Sequence, residues 1–150
     1  MREARRTMTA KIVRIAVPAT LVAAFAVAAV SQASSDGGSV VPSWANANVC
    51  GSTQFGVRAQ LAGDGSDGDM QARFSVQWLS PGGWMPIGGV SSSPWQSAGS
   101  AADTWQQVGW TFNLAPPEAG QSYQLRGVAE LRWPSGRTES RVTGSCGVSG

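Results

Sequence analysis

The chain of 150 residues contains no histidine, and no lysine after Lys11. It has two cysteines and one tyrosine, and charged residues make up only 13% of it. Each scarcity excludes some chemistry. Without histidine there is no His-based catalytic triad and no histidine metal site. Gly82-Gly83 and Gly88-Gly89 lack both the spacing and the lysine of a phosphate-binding loop. The few acids fall mainly at loops or outward strand positions. They supply no cleft holding two carboxylates roughly 5 to 9 Å apart, as glycoside hydrolysis requires. A non-enzymatic protein is therefore expected.

What charge there is lies unevenly. Arg2, Arg5, Arg6, Lys11 and Arg14 precede an uncharged run from Ile15 to Val30, followed by Ser31-Gln32-Ala33. A basic end, a short apolar core and a small-residue cleavage site are the order of a signal peptide, so residues 1–33 are read as one, cleaved after Ala33. Cleavage after Ala28, retention as a single-span anchor and a twin-arginine route through Arg5-Arg6 are the alternatives. The run is shorter than the roughly 20 residues of a membrane span, and no stable membrane anchor is expected once it is removed. The remaining residues carry six arginines against eight acids, a formal charge of −2. That balance excludes a basic nucleic-acid footprint. The expected location is secreted or extracytoplasmic. There Cys50 and Cys146 are expected to form one disulfide, which also removes any thiol nucleophile.

The pattern after residue 33 is that of strands. Residues 34–48 are read as a flexible lead-in, with a short edge strand at Val40 and Val41 before Pro42. Residues 49–150 form the folded domain. Phe55, Val57, Ala59 and Leu61, in a first long strand read from Cys50 to Leu61, alternate with polar residues, as do Ala72, Phe74, Val76 and Trp78. A short edge strand is expected from Trp84 to Ile87, limited by Pro86. Val108, Trp110, Phe112 and Leu114 make another strand, Tyr123 to Trp133 the one with the cleanest alternation, and Thr138 to Cys146 the last. Ser91 to Asp103 has no periodicity and reads as a long loop. These spacings predict a single all-β, antiparallel sandwich of six or seven strands. Six strands running alternately up and down place Cys50 and Cys146 at the same end. A bridge there restricts the unfolded chain by about 4–5 kcal/mol.

The segment from Leu114 to Arg126, with Pro116-Pro117 and Tyr123, resembles the crossing into the penultimate strand of immunoglobulin-like and fibronectin type III-like sandwiches. The resemblance implies that Tyr123 caps the crossing backbone through its hydroxyl, and that Trp78 is the core tryptophan of the third strand. The cysteines depart from it, since the immunoglobulin bridge runs through mid-core. The run Gly120-x-x-Tyr123-x-x-Arg126-Gly127, with a tryptophan-rich middle, also resembles small secreted actinobacterial proteins of unassigned function. Neither resemblance implies an activity.

Three groups of residues are candidate sites. Asp64, Asp67 and Asp69 offer hard oxygen ligands among glycines, a weak calcium loop set against an ordinary turn; no other cofactor is suggested. Trp78, Trp110 and Trp133 fall in phase with core residues. Trp44, Trp84, Trp95 and Trp105 lie in or beside loops, where they can stack on sugars, form a protein-binding hot spot, or plug the sandwich ends. Arg58, Arg73, Arg126 and Arg132 take outward positions that cross-strand charge pairs explain. The functional expectation is an exterior β-sandwich module with a protein-interaction or structural role. The alternative is a small carbohydrate-binding module using the loop tryptophans, so the partner is an extracellular protein or a glycan.

Overall fold

The computed structural model describes residues 41–150. The predicted signal peptide and Val40 lie outside the described residues. The strands are β1 (Trp44–Cys50), β2 (Gln54–Ala62), β3 (Asp69–Ser80), β4 (Gly83–Pro86), β5 (Gln96–Ser100), β6 (Trp105–Asn113), β7 (Ser122–Arg132), β8 (Thr138–Val142) and β9 (Cys146–Ser149). All pairings are antiparallel. Sheet A has the order β1-β2-β6. Sheet B is built on β3 and β7: β4 and β5 share the free side of β3, and β8 and β9 share the free side of β7.

The period-2 segments became the two inner faces. Phe55, Val57, Ala59 and Leu61 of β2 are fully buried, as are Met70, Ala72 and Phe74 of β3. Leu125, Ala129 and Leu131 of β7 and Phe112 of β6 meet them in one apolar cluster. Alternation selects the strand because it sorts one face to the core and the other to water. Trp133 is buried, whereas Trp78 and Trp110 are half-buried against the cluster. Opposite Val57 stands Gly127, where an added Cβ would lie 2.4 Å from Val57 Cγ2. Glycine at that inward position lets β7 approach β2.

Two clasps join the sheets at opposite ends. At one end Cys50, closing β1, bonds to Cys146, opening β9, with Cα atoms 6.4 Å apart. At the other the Trp133 indole N–H donates to the Ala62 carbonyl at 2.8 Å. Along the β1–β8 side, Arg141 Nε donates to the Ser43 carbonyl at 3.0 Å, and Ser43 Oγ accepts from the Ala62 amide at 3.0 Å.

The strand inventory departs from the sequence reading in four places. Val41 is not in a strand; regular structure begins at Trp44, inside the stretch read as lead-in. Cys50 ends β1 rather than starting the first long strand. The stretch Ser91 to Asp103 contains β5, whose Gln-Ser-Ala-Gly-Ser sequence has too little apolar contrast to show a period. The final strand is two short ones, because the ladder ends at Thr143: its amide still donates to the Gly127 carbonyl at 3.0 Å, but its side-chain Oγ1 accepts from the Gly127 amide at 2.9 Å. The described residues thus hold nine strands, where six or seven were expected.

Two stability predictions follow from this packing. Gly127→Ala is expected to cost about 1–3 kcal/mol in urea unfolding through overpacking, and Val57→Ala in the same chain should recover part of that loss. Replacing both cysteines by serine should cost about 4–5 kcal/mol for a bridge spanning 96 residues. Wild-type protein under reducing conditions should match that variant.

Candidate functional site

The outer face of sheet B is where loop tryptophans and strand arginines meet. Gln71, Arg73, Ser75 and Gln77 of β3 pair with Arg132, Glu130, Val128 and Arg126 of β7. Residues paired directly across an antiparallel ladder share a face. Each arginine is therefore aligned with an acceptor. Arg132 Nε donates to Gln71 Oε1 at 2.8 Å, and Arg126 Nε donates to Gln77 Oε1 at 2.8 Å. Arg73 Nε donates to the Glu130 carboxylate at 2.7 Å, within an ion pair.

The same guanidinium groups lie over indole rings. Arg126 sits 4.3 Å from the centroid of Trp84, and Arg132 and Arg73 sit 3.9 and 5.0 Å from that of Trp95. Trp84 reaches this face because β4 pairs it with Leu79. Trp95 reaches it because Ser93 pins the preceding loop to the edge of β3. The Ser93 amide donates to the Phe74 carbonyl at 2.8 Å, and the Phe74 amide donates to Ser93 Oγ at 2.9 Å. The resulting surface presents half-buried tryptophans, three arginines against the two acids Glu130 and Asp69, and the exposed apolar side chains Leu79 and Val142.

The four loop tryptophans do not form one surface. Trp44 pairs with Gln60 and Trp105 with Ala62, on sheet A. Gln60, buried on the outer side of that sheet, donates to the Pro42 carbonyl and accepts from Gln107. Trp105 is the most open of the four at 46% exposure. Trp84 and Trp95 belong to the opposite side of the sandwich. Strand periodicity gave no sign of the arginine–indole stacks, because Trp95 follows a stretch without period. The arginine positions themselves were readable as an outward face.

A second feature is an apolar cleft of about 500 Å³ near the disulfide end, lined by Trp78, Ile87, Leu114, Tyr123, Leu125 and Val148 among others. Tyr123 forms its wall, meeting Trp78 edge-on at 5.8 Å and 88°. The crossing before Tyr123 is secured by backbone bonds: the Gln121 amide donates to the Glu118 carbonyl at 2.9 Å, and the Gly150 amide to the Gln121 carbonyl at 3.1 Å.

Two of the three aspartates, Asp64 and Asp69, have their carboxylates engaged by serines. Asp64 Oδ1 accepts from the Ser66 amide and hydroxyl, and Oδ2 accepts from Ser135 Oγ at 2.6 Å. Asp69 Oδ2 accepts from Ser97 Oγ at 2.6 Å. Among the described residues no three Asp, Glu, His or Cys side chains gather as a metal site. The donors around Asp64, Ser135 first and then Ser66, hold its carboxyl below the usual carboxylate range. The described residues also contain no helix long and apolar enough to cross a membrane. No family model and no curated protein matches the chain.

Because the folded pKa of Asp64 is depressed, its stabilising contribution is present above the unfolded value and lost as pH falls through the folded one. Thermal midpoints of Asp64→Asn should therefore fall less steeply than wild type as pH drops below the usual carboxylate range. Since the three aspartates do not converge, added calcium should leave the midpoints of both proteins unchanged.

Proposed function

We propose that this chain is an exported, disulfide-stabilised interaction module, and that its docking surface is the outer face of sheet B. The arginine–indole stacking at Trp84 and Trp95 carries this reading. Tryptophan and arginine are the side chains most enriched among residues that dominate protein–protein affinity. Here each arginine is held by both an indole and a strand acceptor, so little side-chain freedom remains to be lost on binding. The excess of arginine over acid on this face suits a protein surface that offers carboxylates beside apolar side chains. A disulfide suits an oxidising compartment.

The carbohydrate-binding alternative finds its best support on the other sheet. The faces of Trp84 and Trp95 carry guanidinium groups, whereas Trp105 stands open above a glutamine-lined surface.

The purified protein, immobilised and exposed to detergent-solubilised envelope proteins, should retain a defined set of species. Trp84→Ala, Trp95→Ala and Arg126→Ala should each weaken that capture by tenfold or more, with far-ultraviolet dichroism unchanged. Equal capture by all three variants would remove the proposed surface. Glycan-array binding abolished by Trp105→Ala would instead establish the carbohydrate reading.

A further inference from the structure

A sheet edge offers unpaired N–H and C=O groups to any strand that approaches, and natural sandwiches blunt such edges by shortness, proline, charge or bulges. Most edges of this sandwich carry such a device. The register of β1 shifts between Ala47 and Val49, and Arg141 donates to the Ser43 carbonyl just before it. The strand β4 is four residues long and ends at Pro86. In β5 there are five residues, a left-handed Gly99 and a register shift. Glu139 and Arg141 lie on β8, and β9 has four residues.

The exception is β6, the free edge of sheet A. It runs nine residues, Trp-Gln-Gln-Val-Gly-Trp-Thr-Phe-Asn, with no charge and no proline. Its register with β2 is unbroken from Trp105 to Asn113. No strand among the described residues pairs with its other side. The bonds flanking the ladder, Leu114 amide to Thr53 carbonyl and Gly63 amide to Thr104 carbonyl, fix its phase. Even-numbered residues of β6 bond to β2, so the N–H and C=O groups of Trp105, Gln107, Gly109, Thr111 and Asn113 point outward.

We infer that β6 is a self-association edge, pairing antiparallel with β6 of a second copy of this chain about a two-fold axis at Gly109. The outward phase matches that axis. Gly109 would face Gly109 of the second copy as a hydrogen-bonded pair, and Gln107 would face Thr111, again with outward groups on both sides. Trp105 would face Asn113. On the core side, half-buried Val108 would lie opposite half-buried Trp110 and extend the apolar layer across the junction. No like charges meet, because the strand has none. A two-fold contact of this kind closes at two copies and consumes the edge. The inference is independent of the proposed docking face, which lies on the other sheet.

Sedimentation velocity of the purified full chain over a concentration series tests it. The expected result is a monomer–dimer equilibrium without larger species. Thr111→Pro should abolish the dimer while keeping the fold, because its N–H points away from β2. The register is tested by two double variants that both replace Gln107 and Thr111. Gln107→Lys with Thr111→Lys places like charges opposite each other across the axis, and Gln107→Glu with Thr111→Lys places opposite charges there. The second should associate roughly tenfold more tightly than the first. If Thr111→Pro does not fold, this comparison carries the test alone. A monomer at every concentration, open-ended polymers, or a dimer equally stable in both double variants would each overturn the inference.

Discussion

The close approach of β2 and β7 is the constraint on which the sandwich depends. Val57 is fully buried against Gly127, and no side chain larger than a hydrogen atom fits at that inward position without something shifting. From this contact the inner faces extend in both directions, through Phe55 and Leu125 toward the disulfide and through Leu61 and Leu131 toward Trp133. Thr143 supports the same point from the side by satisfying the Gly127 amide. That bond also explains why the last strand breaks in two. The two clasps then act on a pair of sheets already brought to contact distance. One is covalent and restricts the unfolded chain; the other is a buried hydrogen bond worth about 1 kcal/mol.

With the core settled, the two outer faces have different characters. Sheet B outside is a lattice of arginine, glutamine and tryptophan in which polar groups have fixed partners. Sheet A outside is mostly neutral: Gln60, Gln107 and the flanking Trp44 and Trp105, with Arg58 as its charged side chain on β2. The edges differ in the same way. Charge and shortness guard most of sheet B, whereas β6 ends sheet A with nothing to turn a strand away. The division separates an ordered, cationic face from a neutral edge, so the two can serve different contacts.

The long strands were legible in the sequence because burial on one side and water on the other impose a period of two. Phe55 to Leu61, Ala72 to Val76 and Leu125 to Leu131 all sorted as that period requires. What escaped were the elements whose side chains carry no contrast. In β5, glutamine, serine, alanine and glycine give no alternation, and its existence rests on main-chain pairing with β3. In β1, Ala45 and Ala47 alternate with asparagine over too small an apolar amplitude to stand out. The candidate site was half legible. The outward arginines followed from strand parity, but their indole partners arrive from β4 and from a loop strapped down by Ser93, a contact no local pattern encodes.

By itself, then, the sequence determined an all-β antiparallel domain, its main core residues, the cysteine pair and the exclusion of histidine-based chemistry. These depend on residue identity and local period, which are properties of short segments. Tertiary structure alone decided the order of strands in the two sheets, the placement of Cys50 at the end of β1 and Cys146 at the start of β9, and the split of the loop tryptophans between opposite sides. It also decided which edge has no charge, proline or partner strand among the described residues. Each of these depends on contacts between residues far apart in the chain, and such contacts come from packing two sheets face to face rather than from any local preference.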